Sequence, residues 1–135
     1  MADRIRIFDT SLEEGERSPG CALSTEEKLR MARQLERLGV DVLEAGSPMN
    51  SSSDFEAVRL IARNIEGVAV AARCRPNRGE IDRAWEAIGS AKSPSLHLVF
   101  SPVAGSPGSR DHATLERALG ETVAAARYAS GLCNR

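Results

Sequence analysis

The stretch STEEKLRMARQLERLGVDVLEAG, residues 24–46, decides how this chain folds. Ser24 followed three residues later by Glu27 is a capping box, in which each side chain can satisfy a backbone N–H left open at a helix start. From there Leu29, Ala32, Leu35 and Leu38 recur at helical spacing as one apolar stripe. Gly39 stands where the helix must stop, a position that suits a residue free to take a left-handed backbone. Val40–Ala45 then reads as a strand, with Gly46-Ser-Pro-Met-Asn-Ser-Ser as the loop after it. A helix running at once into a nearly continuous apolar strand is the unit of a parallel sheet covered by helices.

The same unit recurs on both sides. Arg4–Phe8 alternates charged and β-branched residues as a first strand, and Asp9–Gly20 follows as a polar loop. Ser53 with Glu56 repeats the capping-box pattern ahead of a helix lined by Ala57, Leu60 and Ile61. Val68–Ala72 is a third strand, and Arg73–Gly79 a polar turn leading to a helix with Ile81, Ala84, Trp85 and Ile88 on one face. Leu96–Phe100 is the fourth strand, Ser101–Ser109 a Gly/Ser/Pro-rich loop, and Asp111–Ser130 a last helix aligning Leu115, Ala118, Leu119, Val123 and Ala126. The expected organisation is one α/β domain over residues 1–135, four parallel strand–helix units with right-handed crossovers. Two architectures share this pattern: a small doubly wound sheet, or half of a (β/α)8 barrel, which takes about 250 residues when whole. In both, the site belongs at the C-terminal ends of the strands.

Composition narrows the functional classes. With 135 residues, 41% hydrophobic and 27% charged, the chain is ordinary globular material. Lys+Arg 18 against Asp+Glu 19 leaves a net charge of -1, so no charge excess points to nucleic acid or acidic lipid. An aromatic content of 4% argues against base-stacking platforms. No apolar run approaches the roughly 20 residues of a membrane helix. Cys21, Cys74 and Cys133 show no metal spacing, and reduced thiols with no secretory apolar segment at the start make the cytoplasm the expected location.

Several residues could carry chemistry. Glu13, Glu14 and Glu16 cluster just after the first strand, where they read either as a solvated acidic loop or as a carboxylate site for a divalent cation or a general base. Glu44 ends the second strand and, if buried, needs a partner. Arg73, at the end of the third strand, is the expected partner, and its rival role is a bidentate hold on a substrate carboxylate. His97 reads as a barrel-lining histidine and His112 as an exposed one near a helix start. Gly105-Ser-Pro-Gly-Ser lacks the Lys of a phosphate cradle and reads as a lid, and Cys74 as an inert thiol. No His-x-His, His-Glu-x-x-His or Cys-x-x-Cys is present to complete a metal site.

The segment Ile7-Phe-Asp-Thr-Ser-Leu-Glu-Glu-Gly-Glu-Arg-Ser-Pro-Gly20 resembles the first-strand signature of the 2-isopropylmalate and homocitrate synthases. Glu26–Leu29, Arg33–Gly46, Asp54–Val58, Ala72-Arg73, Leu96-His97 and Ala126–Ala129 continue the match across almost the whole chain. The resemblance implies a TIM barrel of the pyruvate carboxyltransferase type, of which this chain is the N-terminal half. It also implies a Claisen condensation of acetyl-CoA with a small 2-oxo acid on a divalent metal (Mg, Mn or Zn) acting as Lewis acid. By the same resemblance Glu14 stands at the metal-ligand position, and Glu44, Arg73 and His97 at substrate-binding ones. Two departures stand out: the family's catalytic Arg position is Glu13 here, and its next amide position is Arg17. In the loop after the fourth strand, Pro102-Val103 and Ser106 replace the family's Thr-Ser pair and His. The paired His metal ligands of the family lie beyond Arg135, so the isolated chain is expected to be inactive and to need a second copy or a complementary half-barrel chain. The alternatives are a non-catalytic half-barrel paralogue or scaffold, and a carbon–carbon lyase of the same superfamily.

Overall fold

A computed structural model of the chain describes residues 4–101 and 112–133. Its strands are β1 (Phe8–Asp9), β2 (Val42–Gly46), β3 (Ala69–Cys74) and β4 (Pro94–Leu98). The helices are α1 (Ser11–Glu14), α2 (Thr25–Leu38), α3 (Ser52–Asn64), α4 (Arg78–Ile88) and α5 (His112–Cys133), with a single 3-10 turn at Gly15–Arg17. All four strands are parallel and lie in chain order, β1-β2-β3-β4. That order separates the two architectures. A doubly wound sheet reverses its strand order at a switch point, whereas right-handed crossovers in unbroken order put every helix on one face. The other face is concave: the rings of Phe8 on β1 and His97 on β4, the two outer strands, meet edge to face with centroids 5.1 Å apart. This is a (β/α)4 half of a TIM barrel.

The core lies between sheet and helices, where Leu43, Val70 and Ala72 meet Ile61, Ile81, Ala84 and Ile88, all fully buried. The capping box of α2 forms as expected, with Ser24 and Glu27 bonding each other's backbone N–H and Gly39 closing the helix at φ 86°. Leu38, however, is 76% exposed, and the buried stripe of α2 is Lys28, Ala32 and Leu35.

Other boundaries move for identifiable reasons. β1 is shorter than the expected Arg4–Phe8 because Asp41 takes over the pairing below it: its carboxylate accepts from the Ile7 N–H at 2.8 Å and from Arg4 at 2.7 Å. Asp9–Gly20 is not all loop, since the Asp9 carboxylate accepts from the Ser11 N–H at 3.0 Å and starts α1. The cap of α3 is Ser51, whose Oγ accepts from the Asp54 N–H at 3.0 Å, not Ser53 with Glu56. β4 begins two residues before the expected Leu96 and ends at Leu98.

The largest correction is α5. Its expected stripe faces outward, with Leu115, Leu119 and Val123 about half exposed, while Ala125 and Ala129 are buried and Tyr128 and Leu132 pack on the core. Tyr128 sets this rotation, its hydroxyl donating to Asp82 on α4 and its ring lying under the Arg78 guanidinium at 4.6 Å. Pro102, Val103, the Gly105–Ser109 segment expected to be a lid and the side chain of His112 lie outside the described residues. Among the described residues no helix is long and apolar enough to cross a membrane.

Candidate active site

Charged side chains gather where the strands end. α1 follows β1 directly, held by Thr10 O accepting from the N–H groups of Glu13 and Glu14 at 3.1 and 2.8 Å. This turn aims Glu13 into the sheet, where it is 8% exposed, and leaves Glu14 at the rim, 47% exposed in its side chain. Glu13 Oε1 accepts from Arg17 Nη2 at 3.0 Å and from Ser47 Oγ at 3.3 Å, and stands 3.7 Å from Arg73 Nη1. Glu14 bonds Arg73 through one oxygen and faces Arg17 Nε at 3.4 Å with the other. The hydrogen bond to Glu13, and then the charge of Glu14, raise the pKa of Arg17.

Deeper in the sheet Glu44 is 1% exposed and bonds His97 Nδ1 through Oε1. Its Oε2 is buried without a hydrogen-bond partner among the described residues. Such an acceptor marks the place where a ligand's donor would be stabilised most. The expected Glu44–Arg73 pair is therefore not formed: Arg73 goes to the β1 loop, and His97 takes Glu44. His97 lines the concave face as expected, 38% exposed in its side chain. Cys74 is buried, and burial pushes its thiol up to about 12, in keeping with an inert role.

Six candidate residues thus come together: Glu13, Glu14, Arg17, Glu44, Arg73 and His97. Sequence reasoning missed Ser47, and also Lys28, which bonds Glu16 and Asp54 behind the loop. The signal for Lys28 was its place four and seven residues before Ala32 and Leu35, on the buried stripe of α2. The described residues do not by themselves make a metal site. Among the described residues no three His, Cys, Asp or Glu side chains could hold one ion, and both oxygens of Glu14 already face guanidinium groups.

Four parallel strands in chain order, with these groups at their C-terminal ends, define a (β/α)4 portion of a TIM-barrel domain. The chain belongs to the HMGL-like family, which it matches over residues 4–133. It is 57% identical over 102 residues to the 2-isopropylmalate synthase of Nitratidesulfovibrio vulgaris, covering 74% of this chain and 20% of that enzyme. The 2-isopropylmalate synthase of Pelotomaculum thermopropionicum is 52% identical over 101 residues, covering 75% of this chain and 20% of the enzyme. That of Ruminiclostridium cellulolyticum is 42% identical over 134 residues, covering 99% of this chain and 26% of the enzyme. The chain spans a fifth to a quarter of the length of these curated relatives and matches their N-terminal part.

Proposed function

We propose that this chain supplies the β1–β4 portion of an acyltransferase that condenses acetyl-CoA with a 2-oxo acid, of the 2-isopropylmalate or homocitrate synthase type. The observation that carries the reading is the convergence of Glu13, Glu14, Arg17, Glu44, Arg73 and His97 at one end of the sheet, in a chain so close to the N-terminal part of such synthases. In this reaction a base takes a proton from the acetyl methyl, the carbanion attacks the keto carbon, and the oxygen that gains negative charge takes up a proton; water then hydrolyses the thioester C–S bond and releases CoA thiol. Arg73 binds the substrate carboxylate once it leaves Glu14, and the open Oε2 of Glu44 accepts from a substrate or water hydroxyl. A divalent metal (Mg, Mn or Zn) on Glu14 would need its other ligands from residues outside those described, so no step is assigned to it.

Alone, the chain is inactive. The described residues hold only part of the groups the reaction needs, and both guanidiniums at the site are paired with Glu13 and Glu14. Loss of one oxyanion stabiliser costs about 3–4 kcal/mol, so turnover stays about 100- to 1000-fold low even when a complementary half is supplied. The same Glu13–Arg17 bond favours a second reading, a non-catalytic half barrel acting as a scaffold. In either case β1 and β4 are edge strands among the described residues, and such edges invite pairing with a second copy or a complementary half-barrel chain in the cytoplasm.

Calorimetric titration with Mn2+ or Zn2+, alone and with 2-oxoisovalerate or 2-oxoglutarate, tests the reading together with light scattering. The isolated chain is expected to associate at micromolar concentration and to show no metal-dependent binding. Mixed with the remaining strand–helix units of a relative, it gains oxo-acid binding and releases CoA thiol from acetyl-CoA. A folded, associated mixture that binds no oxo acid refutes the enzyme reading in favour of the scaffold.

A further inference from the structure

Lys28 lies on the core-facing side of α2 and is 6% exposed. A buried ammonium is costly unless it is paired, and this one is paired twice. Its Nζ reaches Glu16 Oε2 at 2.7 Å and Asp54 Oδ1 at 2.9 Å. The two carboxylates come from different segments, Glu16 from the 3-10 turn after α1 and Asp54 from the first turn of α3. Together they raise the Lys28 pKa in spite of its burial, so the group stays charged.

Each carboxylate also has a second task. Glu16 Oε1 accepts from the Leu23 N–H at 2.9 Å, closing the loop that joins the 3-10 turn to α2. Asp54 Oδ2 accepts from Ser51 Oγ at 2.6 Å, at the cap of α3. The short loop before that cap carries Ser47, whose Oγ donates to Glu13 Oε1 at 3.3 Å. The bonds therefore close on themselves: Lys28 to Glu16, one turn back to Glu13, across to Ser47, along to Ser51 and Asp54, and back to Lys28.

We infer that Lys28 is a positioning residue whose clasp on Glu16 and Asp54 fixes the β1 loop against α3 and so sets where Glu13, Glu14 and Arg17 stand over the sheet. It acts through Glu16 and Asp54. Its consequence for catalysis rests on the proposed function, whereas the clasp itself does not.

Amide hydrogen exchange on the full chain tests this. Lys28→Met and Glu16→Gln are expected to speed exchange of the amides of residues 12–23 by about tenfold or more, while Leu43 and Val70 in the central strands change less than about twofold. Lys28→Arg, whose guanidinium can hold two carboxylates, restores loop protection. Arg59→Ala, which removes an exposed pair with Glu56 on α3, leaves the loop unchanged. Equal acceleration of loop and central strands overturns the inference, as does an unchanged loop or a folded Lys28→Arg chain that exchanges like Lys28→Met. Should Lys28→Met not fold, Glu16→Gln keeps Lys28 paired with Asp54 and decides alone. The readout needs no turnover, so an inactive mixture in the synthase assay refutes the proposed function and not the clasp.

Discussion

Replacing Arg73 with Met keeps most of the apolar stem and removes the guanidinium that ties β3 to the β1 loop. Its Nη1 stands 3.7 Å from Glu13 Oε1, a distance at which two unit charges attract by about 4–5 kcal/mol at an effective dielectric of about 20. Most of that is cancelled by the cost of desolvating the charges. Removing one partner of a buried pair can cost about 3–5 kcal/mol, but that is a ceiling here, because Glu13 keeps Arg17 at 3.0 Å and Ser47 at 3.3 Å. Glu14 is 47% exposed, and its share stays at the level of a surface pair, about 0–1 kcal/mol. The expected loss is therefore about 1–2 kcal/mol. Over 135 residues, an unfolding entropy of about 2.1 cal/mol/K per residue turns 1.5 kcal/mol into a fall in Tm of about 5 °C. Urea and thermal melts of Arg73→Met, and double-mutant cycles with Glu13→Gln and Glu14→Gln, measure both the sum and its division. The coupling to Glu13 should exceed that to Glu14 although the Glu14 contact is the closer one, because burial and not distance decides what a pair contributes. A change within about 0.3 kcal/mol of the parent, or a coupling that resides with Glu14, would refute the argument.

Two further outcomes follow from the packing. In the native chain a thiol reagent at pH 8 should titrate Cys21 and Cys133, both exposed, and reach Cys74 only on unfolding, since a thiol at about 12 is roughly one part in 10,000 thiolate there; rapid reaction of three thiols would contradict this. At Gly46, φ is 138° and an added Cβ would lie 3.3 Å from Val58 Cγ2 and 3.8 Å from Glu13 Oε2. Gly46→Ala should lower stability in urea by about 1–3 kcal/mol, more than Gly39→Ala, where φ is 86° and the space is open; equal losses would show that the contact adds nothing.

What the sequence disclosed followed the range of each interaction. The α2 capping box, its glycine stop and the alternation of strands with helices are encoded within a few residues, and they were legible. The choice between Ser51 and Ser53 as the α3 cap was not, because both have an acidic residue three positions on, and the deciding partner of Asp54 is Lys28, 26 residues away. The α5 stripe misled for a similar reason. Leu115, Leu119 and Val123 satisfy helical periodicity, but the buried face is set by a tyrosine bonding Asp82, 46 residues back. β1 shortened where a side chain on another segment, Asp41, takes the Ile7 N–H that periodicity alone assigns to the backbone ladder.

The exchange of partners between Glu44 and Arg73 has a geometric cause that only register reveals. Glu44 lies opposite Ala71, and Ala71 opposite Ser95, so one layer of the concave face holds a carboxylate beside two small side chains. Arg73 and His97 are both two residues further along their strands, about 6–7 Å nearer the C-terminal ends. From that level a long, flexible guanidinium is drawn outward to the two carboxylates of the β1 loop, Glu13 and Glu14, which lie above the sheet. The methyl group of Ala71 leaves room over the middle strand, and the shorter, planar His97 leans back across it to Glu44. A bulkier residue at position 71 would break that reach and strand a buried carboxylate. The assignment of charges in this half barrel therefore depends on a small residue that carries no charge at all.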